Sequence, residues 1–363
     1  MESLWMDTFK DSLEYVSLVF DNYFKPEISA WKIVDDEIIS AILGVEYGFS
    51  LGQNDERLKG LYLCGISTVK EYRHRGVMSS LLEDINSKAK TLGYDFTFLI
   101  PANNEIKHYY RNRGYHDSFY KLEQHFVKGY NYDSELEIDI EEFNLENIDE
   151  VVSFLCRKRE DKCKKECVAT LIHTPRDWEI ILRETKISNE RVDIFRHRGN
   201  IVGVTFYDND DTLRKEEIRI KKLLCNDAET EAAILKKIEL DRVCRKIILV
   251  KDITEEINID SSQAVWEPFF AENNGKESIY QDISLSNKVY NKEANSVSFG
   301  MIRILDINTF LNKIFANKNI DFSGYSDEEI EEIVLRKPVE AEDELEKLLD
   351  LPRMDFSMSL LLE

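Results

Sequence analysis

Apolar residues recur every three to four positions between residues 7 and 24 (DTFKDSLEYVSLVFDNYF), the spacing that gives a helix one apolar stripe. Strand-like runs follow at 30–34 and 38–51, and the polar turn GQNDERLKG leads to a third at 61–69. Gly76 then opens a helix over 77–91, which Gly93 closes as a C-cap. A short apolar strand at 96–100 ends at Pro101. A helix over about 105–112 and a strand over 115–127 complete the run. Helix, strands, helix, strand, helix, strand is the order of an α/β domain with a mixed sheet, about 130 residues long.

Residues 131–145 are acidic and polar and read as a linker. The pattern then partly recurs: a helix at 146–159, a hairpin at 192–206 (VDIFRHRGNIVGVTF), a strand at 218–224, a helix at 227–238 and a strand at 247–250. No RxxG opens the helix at Asp227, so this stretch reads as a degenerate copy without a cofactor site. From about residue 296 a strand and helix (SFGMIRILDINTFLNKIFA) precede an acidic helix at 326–336. The chain ends in the apolar segment MDFSMSLLLE, which is expected to dock. The expected domains are therefore 1–132, 133–285 and 286–363.

Length agrees with that division, since 363 residues suit two or three domains. No run approaches the roughly 20 apolar residues that span a bilayer. The opening MESLWMDTFKDSLEYV has neither a basic region nor a continuous apolar core, which argues against a secretory signal. Six scattered cysteines suit a reducing cytoplasm. A net charge of −22 argues against nucleic acid and anionic membranes as partners, and would steer a cationic amine inward. The same acidity also serves solubility alone.

The chemistry concentrates in STVKEYRHRGVMSSLLEDI. A strand ends at Thr68 and Val69, a turn carries Arg73, His74 and Arg75, and Gly76 starts a helix through Val77, Met78 and Ser79. First-turn amides have no partner within their helix, and the helix dipole adds positive potential there, so the segment suits a pyrophosphate. Gly76 lets the backbone approach closely, and Arg73 and Arg75 can add charge-assisted hydrogen bonds. The segment alone also reads as a basic turn at an ordinary helix start.

Downstream lies FTFLIPANNEIKHYYRNRGYHDSF. Taken together, the two stretches resemble the GNAT superfamily of N-acetyltransferases. Its motif Q/R-x-x-G-x-G/A stands here as Arg73-His74-Arg75-Gly76-Val77-Met78. Its later signature stands as Tyr109-Tyr110-Arg111-Asn112-Arg113-Gly114-Tyr115. Met78 departs from the small residue at the end of the first motif. Beyond one domain, the chain is similar to the Eis-like acetyltransferases, which implies tandem GNAT folds and a small sterol-carrier-like α/β domain at the C-terminus. The third piece is short here, and it is either trimmed or borrows strands from 278–298.

The resemblance implies acetyl-CoA as co-substrate, no metal, a primary-amine acceptor and a homo-oligomer. Cofactor contacts would come from Ile66, Thr68, Val69, the turn 73–79 and Tyr110. Tyr115 sits where the family has its general acid, and the main-chain carboxylate of Glu363 would reach the active site as proton acceptor or amine anchor. A tyrosine near 10 protonating a thiolate near 8.5 works uphill by about 2 kcal/mol, so Tyr115 needs tuning, for which Arg113 and His116 are placed. Tyr115 also reads as a packed aromatic at a strand start, and the tail as one that only packs.

Other residues carry less. Cys156, Cys163, Cys167 and His173 lack the paired spacing of a zinc site. His74 and His108 read as loop and helix-surface residues. Asp327, Glu328, Glu329, Glu331 and Glu332 read as a solvated face. Trp5, Trp31, Trp178 and Trp266 read as core, and Tyr109 and Tyr110 suit an acceptor pocket or packing equally. The expected activity is acetyl transfer to an aminoglycoside, a polyamine or a lysine side chain. A silent coenzyme A-binding module and a lipid-handling protein are the competing readings.

Overall fold

The first helical stripe is two helices, because Lys10 takes a left-handed φ of 66° and ends α1 (Glu2–Phe9). Ser12 starts α2 (Leu13–Tyr23), its side-chain oxygen accepting from the Tyr15 amide. The computed structural model describes residues 1–51, 57–162, 168–208, 217–242, 244–252, 297–314, 326–327, 330, 335 and 355–357.

Next come β1 (Ala30–Val34), β2 (Glu37–Leu51), β3 (Arg57–Thr68), α3 (Val77–Thr91), β4 (Phe96–Leu99), α4 (Asn104–Arg111) and β5 (His116–Val127), close to the expected spans. Then follow β6 (Asp139–Glu142), α5 (Ile148–Lys162), β7 (Val168–Ile172), α6 (Pro175–Ile187), β8 (Val192–His197), β9 (Asn200–Tyr207), β10 (Glu217–Cys225), α7 (Ala228–Arg242) and β11 (Lys246–Asp252). The last elements are β12 (Val297–Ile304), α8 (Ile307–Ile314) and β13 (Asp355–Ser357). Of the acidic helix expected at 326–336, residues 327, 330 and 335 are described and helical, with Ile330 and Leu335 buried.

The chain divides into two units. The first holds the described residues of Met1–Phe119, Ile148–Asn189 and Phe299–Glu363; the second holds those of Tyr120–Asn147 and Glu190–Ser298. In the first unit the central strands are mixed in direction. β2 is antiparallel to β1, β3 and β7, whereas β3 runs parallel to β4 and β12 pairs antiparallel on the far side of β4. Alternation sorts the side chains between two faces. Leu43, Val45, Tyr47 and Phe49 of β2 join Trp5, Val16, Phe96, Phe98 and Phe310 in one core. Leu61 and Leu63 of β3 meet Leu81, Leu82, Ile85 and Ala89 of α3 in the other.

In the second unit β5, β11, β10, β9, β8 and β6 are neighbours in that order, antiparallel except for β10 with β11. Phe126, Phe195, Ile220, Ile234, Ile238 and Leu249 pack there around α7. Both units therefore carry the mixed α/β architecture read from the sequence.

Candidate active site

Two features of β3 prepare a site at its C-terminal half. The parallel register with β4 runs from Gly60↔Phe96 to Tyr62↔Phe98 and stops, while β3 continues to Thr68. Opposite this stretch the β2 register passes from Leu43↔Cys64 to Ala41↔Ser67, so Gly65 and Ile66 face Ile42 as a β-bulge. Gly65 takes φ +58°, and a β-carbon there would strike the ring of Trp5. A bulge just past the end of a parallel pairing is a place where backbone groups can meet an inserted ligand rather than a strand.

The connection to α3 is held by its own residues. Val69 N–H donates to the Ile39 carbonyl at 2.9 Å, and Arg73 Nε donates to the Thr68 carbonyl at 2.9 Å. The Thr68 hydroxyl lies 2.9 Å from Ser40 Oγ. His74 and Gly76 both have positive φ, and a β-carbon on Gly76 would meet nothing within 4 Å. Gly76 is the N-cap and offers no side chain to the first turn, which carries no acidic residue. Arg73, His74, Arg75 and Gly76 are exposed, with the Arg75 guanidinium 5.5 Å from the Tyr72 ring. Uncapped amides, flanking arginines and an open approach fit the diphosphate of a nucleotide-like cofactor. Met78 packs with the α3-side core and so leaves the first turn unobstructed by its own side chain.

The helix in the second unit that occupies the corresponding place in the element order is built the opposite way. Asp227 accepts from the Thr230 amide at 2.8 Å, and Glu229 and Glu231 stand in the first turn of α7. The anion that α3 could accept is already supplied there by side chains.

Tyr115 is 1% exposed, its hydroxyl 3.0 Å from Thr97 Oγ1 and donating to Asn86 Oδ1 at 3.2 Å. Thr97 Oγ1 also donates to Asn86 Oδ1, at 2.6 Å. Burial raises the Tyr115 pKa above its ordinary 10.0, and the hydrogen bonds to Thr97 and Asn86 offset only part of that. The downward tuning expected from Arg113 or His116 is not what the environment supplies. The cation that acts most on Tyr115 is Arg303, itself paired with Glu83. Tyr110 packs edge-to-face on Tyr115 with ring centroids 5.7 Å apart, and burial raises its hydroxyl as well.

Ile66, Thr68, Val69, the 73–79 turn, Tyr110 and Tyr115 thus all lie in the first unit, around the end of β3 and the two helices that follow. Glu363 lies outside the described residues, as do Cys163, Cys167 and Trp266. Among the described residues no group of three His, Cys, Asp or Glu could hold a metal ion. Sequence reasoning missed the seat of Trp5 over Gly65, and the Asn86 and Thr97 partners of Tyr115. A tryptophan sixty residues from its glycine gives no local signal. A lone Asn on an apolar helix face beside a lone Thr on an apolar strand is the signal that could have found the other pair.

The family model described as acetyltransferase (GNAT) domain matches residues 2–117. No curated protein matches the chain by sequence. Among solved structures, a conserved protein of unknown function from Enterococcus faecalis, a probable N-acyltransferase, superposes with a TM-score of 0.61. It is 12% identical, over 86% of this chain and 71% of that one. A GCN5-related N-acetyltransferase from Anabaena variabilis gives 0.60 at 12% identity, over 84% and 70%. Eis1 from Mycobacterium abscessus gives 0.53 at 13%, over 77% and 64%. At such identities the likeness is one of fold. Residues 2–117 thus match an acetyltransferase (GNAT) domain, and an acyltransferase is the enzyme class that this match supports.

Proposed function

We propose that the chain is an acetyl-CoA-dependent N-acetyltransferase of the Eis-like kind, acting on a primary amine of a cationic small molecule, such as an aminoglycoside or polyamine, or on a lysine side chain. The observation that carries this reading is the uncapped, acid-free first turn of α3, which follows the stretch of β3 that runs on past its pairing with β4. Acetyl-CoA would supply the acyl thioester. The 73–79 turn would hold its diphosphate, and the edge of β3 near Ile66 and Thr68 would pair with its amide-bearing arm, with Val69 and Tyr110 beside it.

The acceptor amine attacks the thioester directly in this scheme. Cys64, next to the bulge, is the thiol that could otherwise carry the acetyl group, but burial pushes it up to about 12 and keeps it protonated. Tyr115 is proposed to return a proton to the departing thiolate. Its raised pKa is compatible with that role, because burial that raises a phenol also raises a thiol in the same dry surroundings, as it does for Cys64. The net charge of −22 favours a cationic acceptor.

The same reading takes the second domain as a degenerate GNAT fold, supported by the acidic cap and first turn of α7, and the C-terminal region as sterol-carrier-like. Domains at 1–132, 133–285 and 286–363, a cytoplasmic homo-oligomer without nucleic-acid or membrane partners, and an active-site role for the Glu363 carboxylate belong to it too. A silent coenzyme A binder is the competing reading, favoured by the engagement of the Tyr115 hydroxyl with Thr97 and Asn86. Release of free thiol from acetyl-CoA with a panel of polyamines, aminoglycosides and lysine peptides decides between them. Amine-dependent release supports the enzyme. Binding of acetyl-CoA without release on any amine supports the silent module.

A further inference from the structure

Arg113 is a cation placed where electrostatics disfavours one. Its Nη2 donates to Ser79 Oγ at 2.7 Å, and Ser79 lies in the first turn of α3, where unpaired amides and the helix dipole already gather positive potential. Its Nη1 donates to the Tyr109 carbonyl at 2.6 Å, and the guanidinium carbon lies 3.6 Å from the Tyr109 ring centroid. The Tyr109 hydroxyl returns to within 3.2 Å of Ser79 Oγ, so the three side chains close on one another.

These partners are all neutral. Among the described residues no carboxylate pairs with Arg113. Its neighbours differ in this: Arg111 pairs with Asp117, and Arg303 pairs with Glu83. A half-buried guanidinium beside the positive end of a helix, with no carboxylate partner among the described residues, is stabilised once an anion arrives. Two of its five N–H donors are used, and stacking on Tyr109 fixes the plane of the rest.

We propose that Arg113 binds the diphosphate of the cofactor, completing the anion site that the α3 amides begin. This rests on the reading of the α3 turn as a cofactor cradle. Arg113 would then be a cofactor-binding residue on α4's C-terminal side, rather than a residue acting on Tyr115.

The test is the binding of coenzyme A, dephospho-coenzyme A and pantetheine to the wild-type chain, Arg113→Gln and Arg113→Lys, by calorimetry for the nucleotides and NMR titration for pantetheine. The expected result is a loss of about 10- to 100-fold in affinity of Arg113→Gln for both nucleotides, with pantetheine unchanged and Arg113→Lys recovering part of the loss. Unchanged nucleotide affinity overturns the proposal. Equal losses for pantetheine and coenzyme A also overturn it, because they make Arg113 a prop for α4. A loss confined to coenzyme A, absent for its dephospho form, overturns the diphosphate assignment in favour of the 3′-phosphate. If the wild-type chain binds neither nucleotide, the cradle reading itself fails, and that outcome is distinct from the others. Should Arg113→Gln not fold, Arg113→Lys carries the test, with an intermediate, nucleotide-specific loss expected and no loss overturning it.

Discussion

The indole of Trp5 occupies the space that a β-carbon on Gly65 would need. Helix α1 thereby holds the bulge of β3 from behind, and the indole N–H is fixed by Asp11 Oδ2 at 2.7 Å. Gly65 also has a φ of +58°, which any β-carbon strains. Gly65→Ala is expected to cost about 2–4 kcal/mol in urea unfolding, the sum of left-handed strain and overpacking. Trp5→Leu in the same chain should recover part of that. A cost below about 1 kcal/mol would mean that the bulge is not locked in this way.

Tyr115→Phe separates the acid role from packing. Losing the hydroxyl from the Asn86 and Thr97 pair should lower stability by about 1–2 kcal/mol. A general acid is worth about 10²–10⁴ in rate, so turnover should fall by at least about 100-fold with acetyl-CoA affinity nearly unchanged. A larger loss of turnover in Tyr110→Phe would transfer the role to that neighbour.

Local patterns were legible where one helix or strand face met one core. The helix read at 77–91 is α3 residue for residue, because Leu81, Leu82, Ile85 and Ala89 fall on one side and a glycine stands just beyond each end. The RHRGVM turn was legible for the same reason: its chemistry is local. What the sequence concealed depends on distant partners. β12 lies beside β4, some 200 residues earlier in the chain. α6 was passed over although Thr174, Pro175 and Asp177 spell its capping box, and it belongs with the first unit. The surroundings of Tyr115 were also out of reach, since Arg303 comes from β12. Periodicity states which face is buried, not which segment buries it.

Cys64 should resist alkylation. Burial pushes its thiol up to about 12, so the thiolate is scarce at pH 8. Mass mapping after brief iodoacetamide treatment should leave Cys64 unmodified in the native chain and modify it in urea. Rapid native labelling would restore Cys64 as a candidate acyl carrier.

Glu123 sets an acid limit on the second unit. Burial raises its carboxyl, but hydrogen bonds from His125 and Arg219 outweigh this and hold it below the ordinary 4.5. A carboxyl depressed in the folded state contributes stability above about 4.5 and loses it as pH falls through the folded value. Glu123→Gln should therefore cost about 1–3 kcal/mol at neutral pH and flatten the decline of stability below pH 4.5. An unchanged acid limb would show that other carboxylates govern it.

The proposed cofactor site needs an anion-accepting turn at α3 and none at α7. Hydrogen exchange with and without saturating acetyl-CoA reads both helices at once. Slowed exchange at residues 73–79 and along the end of β3, with none at 227–231, is the expected result. No protection at 73–79, or equal protection at both helix starts, would contradict it.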